Sequence, residues 1–452
     1  YSIMNEIKLN IRDRRSCDVL VVGGGVSGIA AAVCAARCGM SVILAEKNCF
    51  LGGTATAGLI GTFMTCCDAK GENQIIKGFY GELLDRLISE GSAVSPEKCK
   101  VGNSYSAYRI KGHKGVAPYS CEGLKKTAEE MCLEAGVQLM YNSVLIACET
   151  AERQVKSAFF ATDSGVFEIS ARYFIDCGGD AMLCHLAGCE TVFGGKDGSA
   201  QPASMIFTID GVDKKLLDAY MEDNPEMRKR FFMDEIEKGF ADGSFPCGTK
   251  KLRIFEAPNG TWHVNMAQTD EAFNSLDPFE TAAAAAEQRQ QVGKIIDFLR
   301  RTIPALKNIR LLETASSIGI REGRRIVGEY TLTIDDLKNS VIFDDAILLC
   351  SNSVDMHQKS GVAYSTIDCE KNYSIPYRCL LTKEFDNLAA AGRCVSADRT
   401  ALAAIRVMPP CFAMGEAVGT ACAIAAKDSS ALRDISIEEL QSRLKENGVY
   451  LG

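Results

Sequence analysis

The stretch from Asp18 to Lys47, DVLVVGGGVSGIAAAVCAARCGMSVILAEK, leaves the chain few folds to choose from. Val19 to Val22 is an apolar run of strand length. Gly23, Gly25 and Gly28 follow in the spacing G-x-G-x-x-G. Ile29 to Arg37 is alanine-rich and reads as a helix that Gly39 ends. Ser41 to Ala45 is a second apolar strand, closed by Glu46 and Lys47. Strand, glycine turn, helix and strand in this order make a βαβ unit for a dinucleotide. Gly23 permits the tight turn, Gly25 lets the backbone approach a pyrophosphate, and Gly28 lets helix and strand pack closely. The N–H groups at the helix start attract the phosphates. Glu46, eighteen positions after Gly28, is placed to accept hydrogen bonds from a ribose diol, which favours FAD or NAD over NADP.

A chain of 452 residues can hold two or three domains. Apolar residues make up 47% and charged residues 24%, an ordinary balance for a globular protein. The net charge of −8, without a long basic run, argues against nucleic acid and anionic membrane surfaces as partners. No apolar run reaches the ~18 residues of a membrane span. The opening residues are too polar for a secretion signal. Twenty cysteines are scattered without any C-x-x-C, so iron–sulfur and zinc patterns are absent. The expected setting is a reducing cytoplasm, with cysteines used as small apolar fillers.

After Glu46, the small residues of NCFLGGTATAGLIG suit a backbone running closely along a cofactor, or else a flexible surface loop. Phe79 to Glu90 and Cys121 to Ala135 have helical periodicity. Val137 to Met140 and Ser143 to Glu149 alternate like strands, and Val155 to Thr162 and Phe167 to Ser170 flank a turn at Asp163–Gly165, a hairpin or meander. Tyr173 to Asp180, YFIDCGGD, is a strand ending in Gly178, Gly179 and Asp180. It offers a second backbone approach to a pyrophosphate, or a plain turn.

Residues 190–370 mix strands with helices, among them Arg228 to Gly239 and the long run Asp277 to Thr302, where Asp277 and Pro278 suit N-cap and N1. SSIGIREGRR, Ser316 to Arg325, packs cations into an apolar, glycine-containing context. Arg321 is a candidate clamp for a substrate carboxylate or phosphate, the alternative being pairing with acids such as Glu322. His357, two residues from Asp355, suits acid–base work or a solvated surface. Asp386 to Asp398 reads as a strand followed by Gly392 and Arg393. In the segment after it, Pro409 and Pro410 start a helix whose Gly415 and Gly419 give a small-residue packing face. The start of that helix can face a flavin and favour negative charge there.

Taken together, VVGGGVSGIAAA, FLGGTATAGL, FIDCGGDA, SIGIREGRR, the Gly392-Arg393 strand and IRVMPPCFAMGEAVGTA resemble the FAD-dependent oxidoreductases of the glutathione-reductase-like superfamily, with a look to bacterial oxidoreductases related to fumarate reductase flavoproteins. The resemblance covers about residues 17–190 and 312–427. It implies an α/β fold: a Rossmann-like FAD-binding domain, with a central parallel sheet and a β-meander, plus an inserted α+β substrate domain. The boundaries are 14–190 and 366–430 for the FAD domain, 191–365 for the insertion and 431–452 for a helical tail. FAD is the implied cofactor. Gly23, Gly25, Gly28, Glu46 and Lys47 would hold its ADP half, with Val144 by the adenine. Gly52, Gly53 and Thr54 would pass near the pyrophosphate and ring, with Gly178 and Asp180 nearby. Gly392, Arg393, Pro410, Gly415 and Gly419 would complete the flavin site. Where the family often carries a histidine after the Gly-Arg strand, this chain has Arg399 nearby.

The expected activity is hydride transfer between flavin N5 and a small polar or anionic substrate. Arg321, Arg378 and Arg406 would position the substrate, and His357 or Tyr377 would move the proton. No second G-x-G-x-x-G unit stands in 190–370, so electrons would pass to or from the substrate, a quinone or a partner protein. A flavin monooxygenase is one alternative. Another is an electron-transfer subunit without turnover of its own, in which adjacent Cys66 and Cys67 form a redox pair.

Overall fold

A computed structural model describes residues 10–99, 102–108, 115–195, 198–269, 273–356, 365–367 and 371–452. The chain enters on β1, Ile11–Val22, and turns through the glycines into α1, Val26–Arg37. It returns in β2, Val42–Ala45, which pairs parallel to β1 with Val19 beside Val42. Further strands are β3 (Gln138–Met140), β4 (Val144–Ala151), β5 (Gln154–Thr162) and β6 (Gly165–Asp176). They form one sheet in the order β3–β2–β1–β6–β5–β4.

Two segments that look separate in sequence, Phe167–Ser170 and Tyr173–Asp176, form a single strand, β6. Its first half closes the antiparallel meander with β5, and its last residues, Phe174–Asp176, pair parallel with Leu388–Ala390. All of β6 meanwhile runs parallel to β1. One strand thus belongs to two pairing systems, which only a long uninterrupted run can do. Val19 and Val21 face the large core on the α1 side, and Leu20 and Val22 face a second cluster with Phe160 and Phe174. Burial on both faces explains why β1 ends as a continuous apolar run rather than an alternation.

A second, antiparallel sheet is built from β7 (Ser204–Asp210), β8 (Ile254–Glu256), β9 (Trp262–Gln268) and β10 (Arg310–Thr314), in the order β8–β9–β7–β10. The helix α2, Pro278–Thr302, packs against it, and Asp277 caps that helix by accepting from the N–H groups of Phe279 and Glu280. The helical run expected over Arg228–Gly239 is broken instead. Phe231 and Phe232 both adopt positive φ, splitting it into Met227–Arg230 and Met233–Ala241, and both rings are buried. Burial of two phenylalanines outweighs helix continuity there.

The last long helix, α3 (Met408–Asp428), is buried from Pro409 to Ala425. Among the described residues no single helix is long and apolar enough to cross a membrane.

Candidate functional site

The turn between β1 and α1 is fixed by contact. Gly23 has φ +100°, and a Cβ on it would lie 2.6 Å from the Cys177 carbonyl oxygen. A Cβ on Gly28 would lie 1.9 Å from the Gly23 oxygen. Gly25 differs: the nearest atom to a Cβ there is 3.9 Å away, the Cα of Gly53. Gly25 and Gly52 form a bridge, and Gly52 N–H donates to the Gly24 oxygen at 2.8 Å. The two glycine loops therefore touch backbone to backbone, and the slot along their seam carries no side chain from either. Glu46, buried, closes one end. Its Oε2 accepts from Gly24 N–H at 2.7 Å, and its Oε1 accepts from the Asn48 backbone and side chain at 2.9 and 2.8 Å. A carboxylate has about four lone-pair directions, so one remains on Oε2. Ser143 N–H donates to the Glu46 carbonyl, which sets Val144, half exposed, beside the same end. Lys47 and Thr54 are exposed.

The other side of the slot comes from far along the chain. Gly178 N–H donates to Asp176 at 2.9 Å. Arg393 lies over Gly179, whose Cβ would be 2.8 Å from its guanidinium, and pairs with Asp180 at 3.0 Å. Gly392, at φ +88°, leaves room for the Ser27 hydroxyl. A Cβ on Gly415 would lie 2.1 Å from the Ser27 oxygen, and one on Gly419 would lie 2.3 Å from the Ala31 oxygen. Both contacts advance by four residues in the same sense, so α1 and α3 run parallel. Ser27 is the second residue of α1, and Gly415 is the eighth of α3. At 1.5 Å per residue, the N-terminus of α3 extends about 9 Å past that of α1. Neither start carries a side-chain cap.

Beside the second sheet, arginines from distant parts of the chain come close together. Arg321 donates to the Pro202 carbonyl and to the hydroxyl of Ser204 on β7. Arg406 donates to the Asp355 carbonyl at 2.9 Å, while its buried Nε has no partner among the described residues. Arg253 precedes β8 and is felt electrostatically by Arg321. Burial pulls all three guanidinium groups below their ordinary range, Arg321 to about 9, and the Asp355 carboxylate opposes that pull. Arg321 remains a cation at neutral pH. Cations gathered this closely are the donor set that binds a carboxylate or phosphate.

A family model described as FAD dependent oxidoreductase matches residues 18–444, nearly the whole chain. The chain belongs to that family. This FAD-dependent oxidoreductase also matches 4-oxocyclohex-2-ene-1-carboxylate 5-dehydrogenase from Sinomonas cyclohexanicum, 62% identical over 39 residues, or 9% of this chain and 7% of that one. Among solved structures, it is similar to a geranylgeranyl bacteriochlorophyll reductase-like protein of Thermoplasma acidophilum, with TM-score 0.48, 13% identity and coverage of 96% and 84%. It is also similar to p-nitrophenol 4-monooxygenase of Pseudomonas putida, with TM-score 0.47, 10% identity and coverage of 96% and 81%.

The residues present fit FAD. The oxidoreductase has a side-chain-free slot at Gly25 and Gly53, an acid with a lone pair to spare at Glu46, and two uncapped helix starts on the same side. Gly23, Gly25, Gly53 and Glu46 would hold the ADP half, and the N-terminus of α3 at Met408–Pro410 would meet the flavin end. Gly28, Gly415 and Gly419 serve helix packing.

Several expected catalytic residues lie elsewhere. Tyr377 is buried, and its hydroxyl donates to the Leu432 carbonyl at 3.0 Å, so it is an anchor and not a proton carrier. Arg378 pairs with Asp345 at 3.0 Å and stacks over Tyr330 and Phe343, which removes it from the arginine cluster. His357 lies outside the described residues. In SIGIREGRR, the buried Glu322 pairs with Arg325 at 3.5 Å and with Arg399 at 2.9 Å, leaving Arg321 as the cation turned to the site. Cys66 and Cys67 are free buried thiols lying against Gly115, and their mutual hydrogen bond favours the Cys67 thiolate. Sequence reasoning missed Arg253 and His263. His263 is buried and lies against Leu59, where the glycine loop ends.

Proposed function

We propose that this enzyme moves a hydride between the flavin and a small organic anion, binding that anion on Arg321, Arg406 and Arg253. Bound FAD supplies a two-electron acceptor. The observation that carries the reading is the arginine cluster: Arg321 feels the charges of both Arg406 and Arg253, and the buried Nε of Arg406 has no hydrogen-bond partner among the described residues. Cations of like sign repel one another, and an anion entering among them relieves that repulsion. The short match to a dehydrogenase named for a carboxylate agrees with that substrate class. Arg406 Nε and Arg321 would orient the carboxylate, and the surrounding protein would keep water from it.

We read residues 191–365 as an inserted substrate domain, because the second sheet is built wholly from Ser204 to Thr314. The affinity with the glutathione-reductase-like superfamily stands on the parallel sheet, the meander and the glycine turn. A quinone or partner protein would exchange electrons with the flavin. The test is a titration of the FAD-loaded enzyme with oxalate, read from the flavin absorption spectrum. Arg321→Ala should weaken oxalate binding about 10- to 100-fold, as expected for loss of a charge-assisted contact, while FAD stays bound. Equal affinity in the variant would end the clamp reading.

A further inference from the structure

We propose that His263 is the proton-transfer residue of this enzyme and that the Thr208 hydroxyl beside it holds the substrate oxygen, so that the substrate is a small hydroxycarboxylate. The proposal rests on the anion reading above and extends it to the reacting group.

His263 stands on β9 and is 3% exposed. Its Nδ1 lies 2.8 Å from the Leu59 carbonyl oxygen. A carbonyl can only accept, so Nδ1 carries the hydrogen. Burial holds the ring neutral, which leaves the lone pair on Nε2. The ring cannot swing away. It stacks on Phe255 at 5.1 Å and 11°, and it fills the space beside Gly61, where a Cβ would come within 2.4 Å of it. Among the described residues nothing bonds to Nε2. Thr208 is the direct ladder partner of His263 on β7, so the two side chains share a face. Thr208 is also buried, and its Oγ1 has no partner among the described residues. A fixed imidazole lone pair beside an unpaired hydroxyl, both buried, marks a place for a ligand or a water.

The rest of that face identifies the ligand. Ser204, which holds Arg321, is four residues before Thr208 on the same strand and therefore on the same side. Arg253 is two residues before Phe255, the ring under His263. Carboxylate binding groups and a hydroxyl–imidazole pair thus sit a few residues apart on one surface. A hydroxycarboxylate matches both. In the oxidation, the O–H proton passes to His263 Nε2. The C–H bond on the same carbon breaks, and its electron pair leaves with the hydrogen as a hydride, which FAD, when bound, would accept. The C–O bond becomes C=O. The imidazolium then returns its proton to solvent.

The first test uses diethyl pyrocarbonate on the FAD-loaded enzyme, with modified histidines mapped by mass spectrometry. His263 should be carbethoxylated at Nε2 and protected by oxalate, and Arg321→Ala should abolish the protection but not the modification. A His263 that stays unmodified while the exposed His185 reacts would overturn the proposal. If oxalate perturbs the flavin spectrum but does not protect His263, the anion reading stands and this proposal fails, with an ordered water only between His263 and Thr208. If oxalate does neither, both fall. The second test is anaerobic flavin reduction by glycolate, lactate and malate. At least one should reduce the flavin. His263→Gln should slow that reduction at least 100-fold, with FAD and oxalate affinity unchanged, and Thr208→Val should slow it about tenfold. No reduction by any of the three, or an unslowed His263→Gln, would reject the assignment.

Discussion

The Cα of Gly415 lies against the main-chain oxygen of Ser27, so close that an added methyl group would stand 2.1 Å from it. This contact holds two parallel helices in an offset that would present both N-termini to bound FAD. Neither partner can yield, because both are backbone. Gly415→Ala should therefore cost at least about 1–3 kcal/mol, the usual cost of overpacking, and should weaken FAD retention by tilting α3. Thermal unfolding of the apo and FAD-loaded variant checks this. An unchanged melting temperature would show that the helices can separate freely.

Glu46 holds the glycine turn as well as one end of the slot, through bonds from Gly24 and Asn48. Glu46→Ala removes charge-assisted bonds of about 1.5–3 kcal/mol each. The expected outcome is FAD affinity weakened by at least about tenfold, measured by flavin fluorescence on titrating the apoprotein. Equal affinity would mean that Glu46 serves the turn alone.

Glu416, in the middle of α3, is 1% exposed and accepts from Phe79 N–H at 3.0 Å. Burial raises its carboxyl to about 8 from an unfolded value of 4.5, although the Phe79 bond and Arg37 oppose the shift. Between these two values the folded chain holds a proton that the unfolded chain has lost. The stabilisation is complete below about pH 4.5, declines as pH rises, and is gone once pH passes about 8. Glu416→Gln should flatten melting temperature against pH across this window. A slope as steep as in the parent would assign it to other groups.

Tyr377 donates to the Leu432 carbonyl within the core. Tyr377→Phe should lower stability by about 1–3 kcal/mol, the cost of an unpaired buried carbonyl, and leave flavin reduction unchanged. A slowed reduction with an intact melting temperature would return Tyr377 to the chemistry.

Local pattern sufficed for the cofactor half. The βαβ unit from β1 to β2 was legible because the glycine spacing, the apolar strands and the terminal acid lie within one short stretch. The cap at Asp277 and the proline start of α3 were legible for the same reason. The substrate half was not. Tyr377 and Arg378 are adjacent in sequence and chemically suited to a site, yet the short turn Tyr377–Leu380 points the first at Leu432 and leaves the second with Asp345. No local signal distinguishes them from Arg321, which is held by Pro202 and Ser204 instead.

The sequence by itself determined an FAD-dependent α/β chain with a glycine turn between its first strand and helix, an acid ending the next strand and a late helix that starts on prolines. Those features follow from backbone sterics and periodicity, which act over a few residues. Tertiary structure alone decided that Arg321 meets Ser204 and feels Arg253 and Arg406, that His263 stands beside Thr208, and that Glu322 draws off Arg325 and Arg399. Those meetings depend on strand register and on the parallel seating of α3 on α1, which bring together residues more than a hundred positions apart. Charge and burial are then settled by neighbours that no local pattern names.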